Sequence, residues 1–121
     1  MTPLVLLAVA VGGALGAVLR QLTSVALAGR GRIPWGVAVV NVVGSFIAGA
    51  ALGLPLDPTV QLIIFSGLCG GLTTFSSLAV ETVQLVLDGK HRAAIASVTL
   101  NFMVGVPAAL LGFVLGALVV A

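Results

Sequence analysis

Four stretches of this chain, residues 3–28, 35–54, 59–87 and 93–121, are each apolar and long enough to cross a bilayer, and little lies between them. A spanning helix needs about 20 such residues. The runs are cleanly punctuated. The first ends at GRGRIPWG, where Gly29, Gly31 and Pro34 break a helix, the second at PLDP, and the third at DGKHR, residues 88–92. Only 7% of the 121 residues are charged, whereas a soluble domain carries roughly a quarter. With 60% hydrophobic residues and a mean hydropathy of +1.33, the chain reads as an all-α integral membrane protein: one four-helix domain, residues 1–121.

The net charge of +2 does not point to nucleic acid. The five basic residues sit mostly beside gaps in the apolar pattern and act as topology signals. A single cysteine, Cys69, excludes an intramolecular disulfide and a cysteine-based zinc site, and between Leu68 and Gly70 it reads as a small packing residue. No Lys or Arg precedes the first apolar run, so residues 1–28 are expected to be mature protein rather than a secretory leader.

The third run is too long for one straight crossing. Its 29 residues, at about 1.5 Å each, exceed a hydrocarbon core of about 30 Å even when tilted. It also contains GLCGGLTTFSS, residues 67–77, in which a glycine pair precedes two threonines, a phenylalanine and two serines. Hydroxyls in hydrocarbon cost free energy unless something uses them. A break at Gly70-Gly71 is therefore expected, in mid-membrane, where protein buries it or a cavity wets it. The first half-helix would end there in unpaired carbonyls suited to a cation, and the second would begin with N–H groups suited to an anion. Thr73, Thr74 and Ser76 are the natural caps of that restart.

Other polar residues in the runs are few. Asn41 and Ser45 share a helical face, as do Ser97, Asn101 and Gly105. Thr74, Ser77 and Glu81 form one stripe after the break, and Phe75, Leu78 and Thr82 another. Serines and threonines in membrane helices often only bond their own i−4 carbonyl. An asparagine cannot satisfy its donors and acceptor so locally, which singles out Asn41 and Asn101. Arg20, towards the end of the first run, can snorkel to the interface. GxxxG pairs at Gly12/Gly16, Gly49/Gly53 and Gly112/Gly116 let helices approach, either within one subunit or between two. Hydroxyls, amides and the edge of a phenyl ring all favour an anion. With no catalytic pair, metal cluster or nucleotide loop, the chain is not read as an enzyme.

GLCGGLTTFSS followed by Glu81-Thr82, NVVGS at 41–45 and GGALGAVLR at 12–20 together resemble the CrcB/Fluc fluoride channels, across all four runs in order. The resemblance implies a passive fluoride-selective channel of the plasma membrane, conferring fluoride resistance: a dual-topology antiparallel dimer with two pores and a central sodium ion, Na+. By position, the carbonyls of Gly70 and Thr73 would hold the sodium. Asn41 matches the pore-lining asparagine and Phe75 the first of two phenylalanines whose edges meet fluoride. Thr74, Ser76 and Ser77 match the polar track. Arg20 matches the family's arginine in the first helix, and Glu81 is placed with it as a structural or vestibule residue. Ser97 and Asn101 are left as pore-lining or packing residues.

Two departures stand out. The family usually reads TTFSTF where this chain reads TTFSSL, so Leu78 occupies the place of the second pore phenylalanine. The loops at 29–34 and 88–92, on one side of a four-span chain, carry Arg30, Arg32, Lys90 and Arg92, while the other side has Asp57 and no Lys or Arg. The positive-inside rule would put both basic loops in the cytoplasm and both termini outside, yet dual topology needs a weak bias. Either the chain is the fixed-orientation half of a heterodimer with an oppositely inserted homologue, or it pairs with itself and tolerates both changes.

Two other readings compete with this one. A small multidrug transporter also has four helices and an antiparallel dimer, but needs a carboxylate and aromatics around a cationic drug. Here Glu81 is the sole acid within a run, there is no Tyr, and Trp35 is the only Trp. A non-conducting assembly subunit accounts for the GxxxG pairs but not for the hydroxyl cluster.

Overall fold

A computed structural model describes residues 2–29, 31 and 33–120; Arg30 and Arg32, two of the four basic residues in the loops, lie outside these. Helix α1 is Pro3–Ala26 and α2 is Trp35–Gly53. The third run comprises α3 (Pro58–Leu62), a π-helical segment Ile63–Cys69, a short α4 (Gly70–Leu72) and, after a gap, α5 (Ser76–Leu87). Helix α6 is His91–Val119. Among the described residues, four helical stretches are long and apolar enough to cross a membrane, with the third run counted as one from Pro58 to Leu87.

Sequence accounts for the ends. Thr2 caps α1, accepting the Val5 N–H at 3.2 Å, and Asp57 caps α3, accepting the Thr59 N–H at 2.8 Å. A proline follows each cap, where its missing N–H costs nothing. Gly29 and Gly89 close the turns after α1 and α5 at φ +76°, a backbone region that disfavours other residues.

Small residues decide the packing. A Cβ on Gly49 or Gly53 of α2 would land on the backbone carbonyls of Ala109 and Phe113 in α6, and one on Gly112 of α6 would land on that of Phe46. In the same way Gly16 of α1 lies against Leu68 and Leu72, and Gly71 against the Gly13 carbonyl. All three GxxxG pairs are therefore used inside the subunit, which answers the alternative left open by the sequence. The outward faces are apolar: Leu4, Leu15, Leu22, Val83, Met103 and Leu118 are all well exposed, as side chains facing lipid are.

Candidate functional site

The helix of the third run stops after Leu72 rather than at the glycine pair: Gly70 and Gly71 are helical, Thr73 turns to φ −80°, ψ 156°, and α5 begins at Ser76. The physical reason is packing. Gly71 lets α1 come up against a helix at that point, whereas the residues that leave the helix have side chains able to replace its hydrogen bonds. The π-helical segment just before, Ile63–Cys69, is the kind of widened turn that often accompanies a functional site.

Asn41 of α2 completes the interruption. Its Oδ1 accepts the Thr74 N–H at 2.8 Å, and its Nδ2 donates to the Thr74 carbonyl at 3.1 Å. Both backbone groups of one residue are thus paired to a single side chain, as in a sheet ladder. The second Nδ2 hydrogen goes to Oδ1 of Asn101 at 2.8 Å. Asn101 in turn donates to the Ser97 carbonyl at 2.8 Å. Thr74, Asn101 and Ser97 are all buried, and the Ser97 hydroxyl has no partner among the described residues. NVVGS now has a physical reading. Asn41 pairs with Thr74, Gly44 leaves room for the Thr73 methyl, which a Cβ there would strike, and Ser45 faces the adjoining cavity.

Of the expected caps, Thr74 caps the restart: its Oγ1 accepts the Ser77 N–H at 3.0 Å and lies 3.3 Å from Ser76 Oγ. Phe75 already has helical dihedrals, so Thr74 occupies the N-cap position. Thr73 instead donates to its own i−4 carbonyl, Cys69, at 2.8 Å, and Ser76 is inside the helix. The N–H groups of Phe75 and Ser76 have no acceptor among the described residues.

A cavity of about 410 Å³ adjoins this junction. Asn41, Thr73, Thr74, Phe75, Leu78 and Asn101 of the expected set line it. Leu78 is 5% exposed and Phe75 73% exposed, so the ring stands out at the rim while the leucine fills the wall. Ser97 lies behind Asn101, and Ser76, Ser77 and the exposed Gly70 lie off the cavity. Arg20 is half-buried on α1, away from it. Glu81 borders a separate space of about 240 Å³ with Ser24, Pro34 and Trp35; its Oε2 is buried without a partner among the described residues. Phe102 and Val106 of α6 also line the main cavity. Sequence alone does not mark them, because a phenylalanine or valine in an apolar run looks like any lipid-facing residue.

Residues 7–113 match the family model described as "CrcB-like protein, Camphor Resistance (CrcB)". The chain belongs to the CrcB family. Similar proteins include Fluoride-specific ion channel FluC 1 of Thermobifida fusca (strain YX), 45% identical over 105 residues that cover 85% of this chain and 88% of the relative. FluC of Serratia proteamaculans (strain 568) is 42% identical over 116 residues, covering 91% of each. FluC of Methanopyrus kandleri is 45% identical over 112 residues, covering 88% of this chain and 85% of the relative. These relatives of the CrcB chain are named as ion channels, not enzymes.

Proposed function

We propose that this CrcB chain forms a passive, fluoride-selective channel in the plasma membrane, built as an antiparallel dimer that lets cytoplasmic fluoride out. The observation that carries the reading is the exchange of hydrogen bonds between Asn41 and Thr74 at the interruption of the third span. It holds a helix restart next to a cavity, with the free N–H groups of Phe75 and Ser76, the Thr74 and Ser76 hydroxyls and the Phe75 ring close together. All of these are neutral donors or electropositive edges. They can replace the water around a small anion without holding it as a fixed positive charge would, which is what conduction requires. The names of the relatives supply the ion. Fluoride that enters as neutral hydrofluoric acid and ionises inside would leave down its gradient, with no ATP or proton coupling.

A sodium ion at the dimer centre is the cofactor implied by the family, and the donors fit it. The Thr74 N–H that would bond the Gly70 carbonyl goes to Asn41, and the Ser77 N–H that would bond the Thr73 carbonyl goes to Thr74 Oγ1. Two carbonyls per chain are thereby released, and oxygens of this kind suit a hard cation. Gly70 is exposed, as a group shared with a second subunit must be. When bound, the ion would neutralise these carbonyl dipoles and join the subunits. Replacing sodium by N-methyl-D-glucamine throughout purification and assay is expected to abolish efflux, and full activity without sodium would remove the ion from the proposal.

The test of the channel itself is fluoride efflux from liposomes containing the purified chain, with chloride as control. Fast, fluoride-selective efflux supports a homodimer. Leu78 and the basic loops favour a second reading, in which the chain pairs with an oppositely inserted homologue that supplies the second ring. Silence from folded protein, with activity restored by co-expression of such a homologue, would establish that reading instead.

A further inference from the structure

We propose that Asn101 is a positioning residue that determines which hydrogen of the Asn41 amide an arriving fluoride ion can take. This rests on the fluoride-channel reading and specifies how one part of that site works. The Ser97 carbonyl can only accept, so Asn101 must turn its Nδ2 towards it, at 2.8 Å. That leaves Asn101 Oδ1 facing Asn41 Nδ2, at 2.8 Å. At the other end the Thr74 N–H can only donate, and it meets Asn41 Oδ1 at 2.8 Å. Flipping Asn41 would set donor against donor at Thr74, and flipping Asn101 would set acceptor against acceptor at Ser97. Backbone groups at both ends thus fix the direction of the whole chain of bonds.

The two hydrogens of Asn41 are consequently unequal. One is held by the carbonyl of Thr74, the residue that caps α5. The other is held only by the side-chain oxygen of Asn101, which lines the same cavity as Asn41, Thr74 and Phe75. Both are in use, so an anion gains an Asn41 hydrogen only by displacing one acceptor. Displacing the Thr74 carbonyl would undo the interruption itself. Displacing Asn101 Oδ1 unpairs one amide oxygen at the cavity wall, where water can meet it. The hydrogen facing Asn101 is therefore the one that passes to fluoride, and Asn101 acts on the ion through Asn41.

The experiment compares Asn101→Leu and Asn101→Thr with the unsubstituted chain in liposomes, measuring efflux against fluoride concentration. Leucine has a similar size but no acceptor, so fluoride meets a free N–H. The half-saturating concentration is expected to fall about fivefold, the equivalent of one neutral hydrogen bond no longer broken, with a lower maximal rate. A threonine hydroxyl donates to the i−4 carbonyl, here Ser97, so it keeps the polar anchor on α6, but its oxygen ends one atom short of the Asn101 Oδ1 position and leaves Asn41 without its acceptor; half-saturation should fall by about the same factor as with leucine. An Asn101→Leu protein with lower flux or stability but unchanged half-saturation would make Asn101 a helix-joining residue only. Absence of fluoride efflux in every arrangement of the unsubstituted chain would fail the channel reading instead. A second measurement needs no variant. Asn41 and Asn101 are the only asparagines, so ¹⁵N-asparagine labelling gives two side-chain amides, and fluoride titration should shift one Asn41 proton strongly and its twin little. Equal shifts of both, or of neither in conducting protein, would overturn the proposal.

Discussion

Asn41 illustrates how much one side chain can carry between apolar helices. Asn41→Ala leaves the Thr74 N–H, the Thr74 carbonyl and Asn101 Oδ1 without partners in a mostly buried setting. Each orphaned group costs about 1–3 kcal/mol, so a large fall in the detergent melting temperature and loss of flux are expected. Thr82→Val is the control. Thr82 bonds only the Leu78 carbonyl four residues back, at 2.6 Å, and removing such a local bond should change stability by no more than about 0.5 kcal/mol. Equal losses in the two variants would show that Asn41 is no more than another helix hydroxyl in effect. At this scale the sequence was legible where chemistry is local. An amide in an apolar run demands a partner, and a threonine after a helix break is a cap. It was not legible that Asn41 pairs with Asn101, because a separation of 60 residues leaves no trace in spacing.

Between helices, glycine replaces the side chain as the informative group. Gly49 and Gly105 both lie at the contact of α2 and α6, yet they should respond oppositely to alanine. A Cβ on Gly49 would overlap the Ala109 carbonyl, and this is backbone that cannot move unless the helices part. Overpacking of this kind costs about 1–3 kcal/mol. A Cβ on Gly105 meets only Ser45 Oγ, at 3.7 Å, an ordinary contact, while alanine is the better helix former by about 1 kcal/mol. Melting temperatures should thus fall for Gly49→Ala and hold or rise for Gly105→Ala; the reverse order would place the tight contact elsewhere. The four helical runs were legible from apolar length and punctuation. The interruption lies a few residues beyond Gly70-Gly71, at Thr73-Thr74, since glycine signals both a weak helix and a close approach. Only the position of Gly13 on α1, against Gly71, tells these two apart.

For the molecule as a whole, orientation decides whether the proposed dimer can form from one chain. Lys90 and Arg92 lie after α5, on the side of the chain where the loop between α1 and α2 carries Arg30 and Arg32, against Asp88. The turn between α2 and α3 has Asp57 and no Lys or Arg. Lys and Arg in short loops hold those loops in the cytoplasm, so a tag on either terminus is expected to be accessible from outside intact cells in nearly all copies. Replacing Arg30, Arg32, Lys90 and Arg92 together by glutamine should spread the tag over both sides. Identical copies inserted one way cannot build the antiparallel pair proposed above, so under that proposal a single orientation calls for an oppositely inserted homologue, whose second ring would offset Leu78. A tag found on both sides of the membrane in the unsubstituted protein would remove that need, and the same chain could supply both halves of the channel.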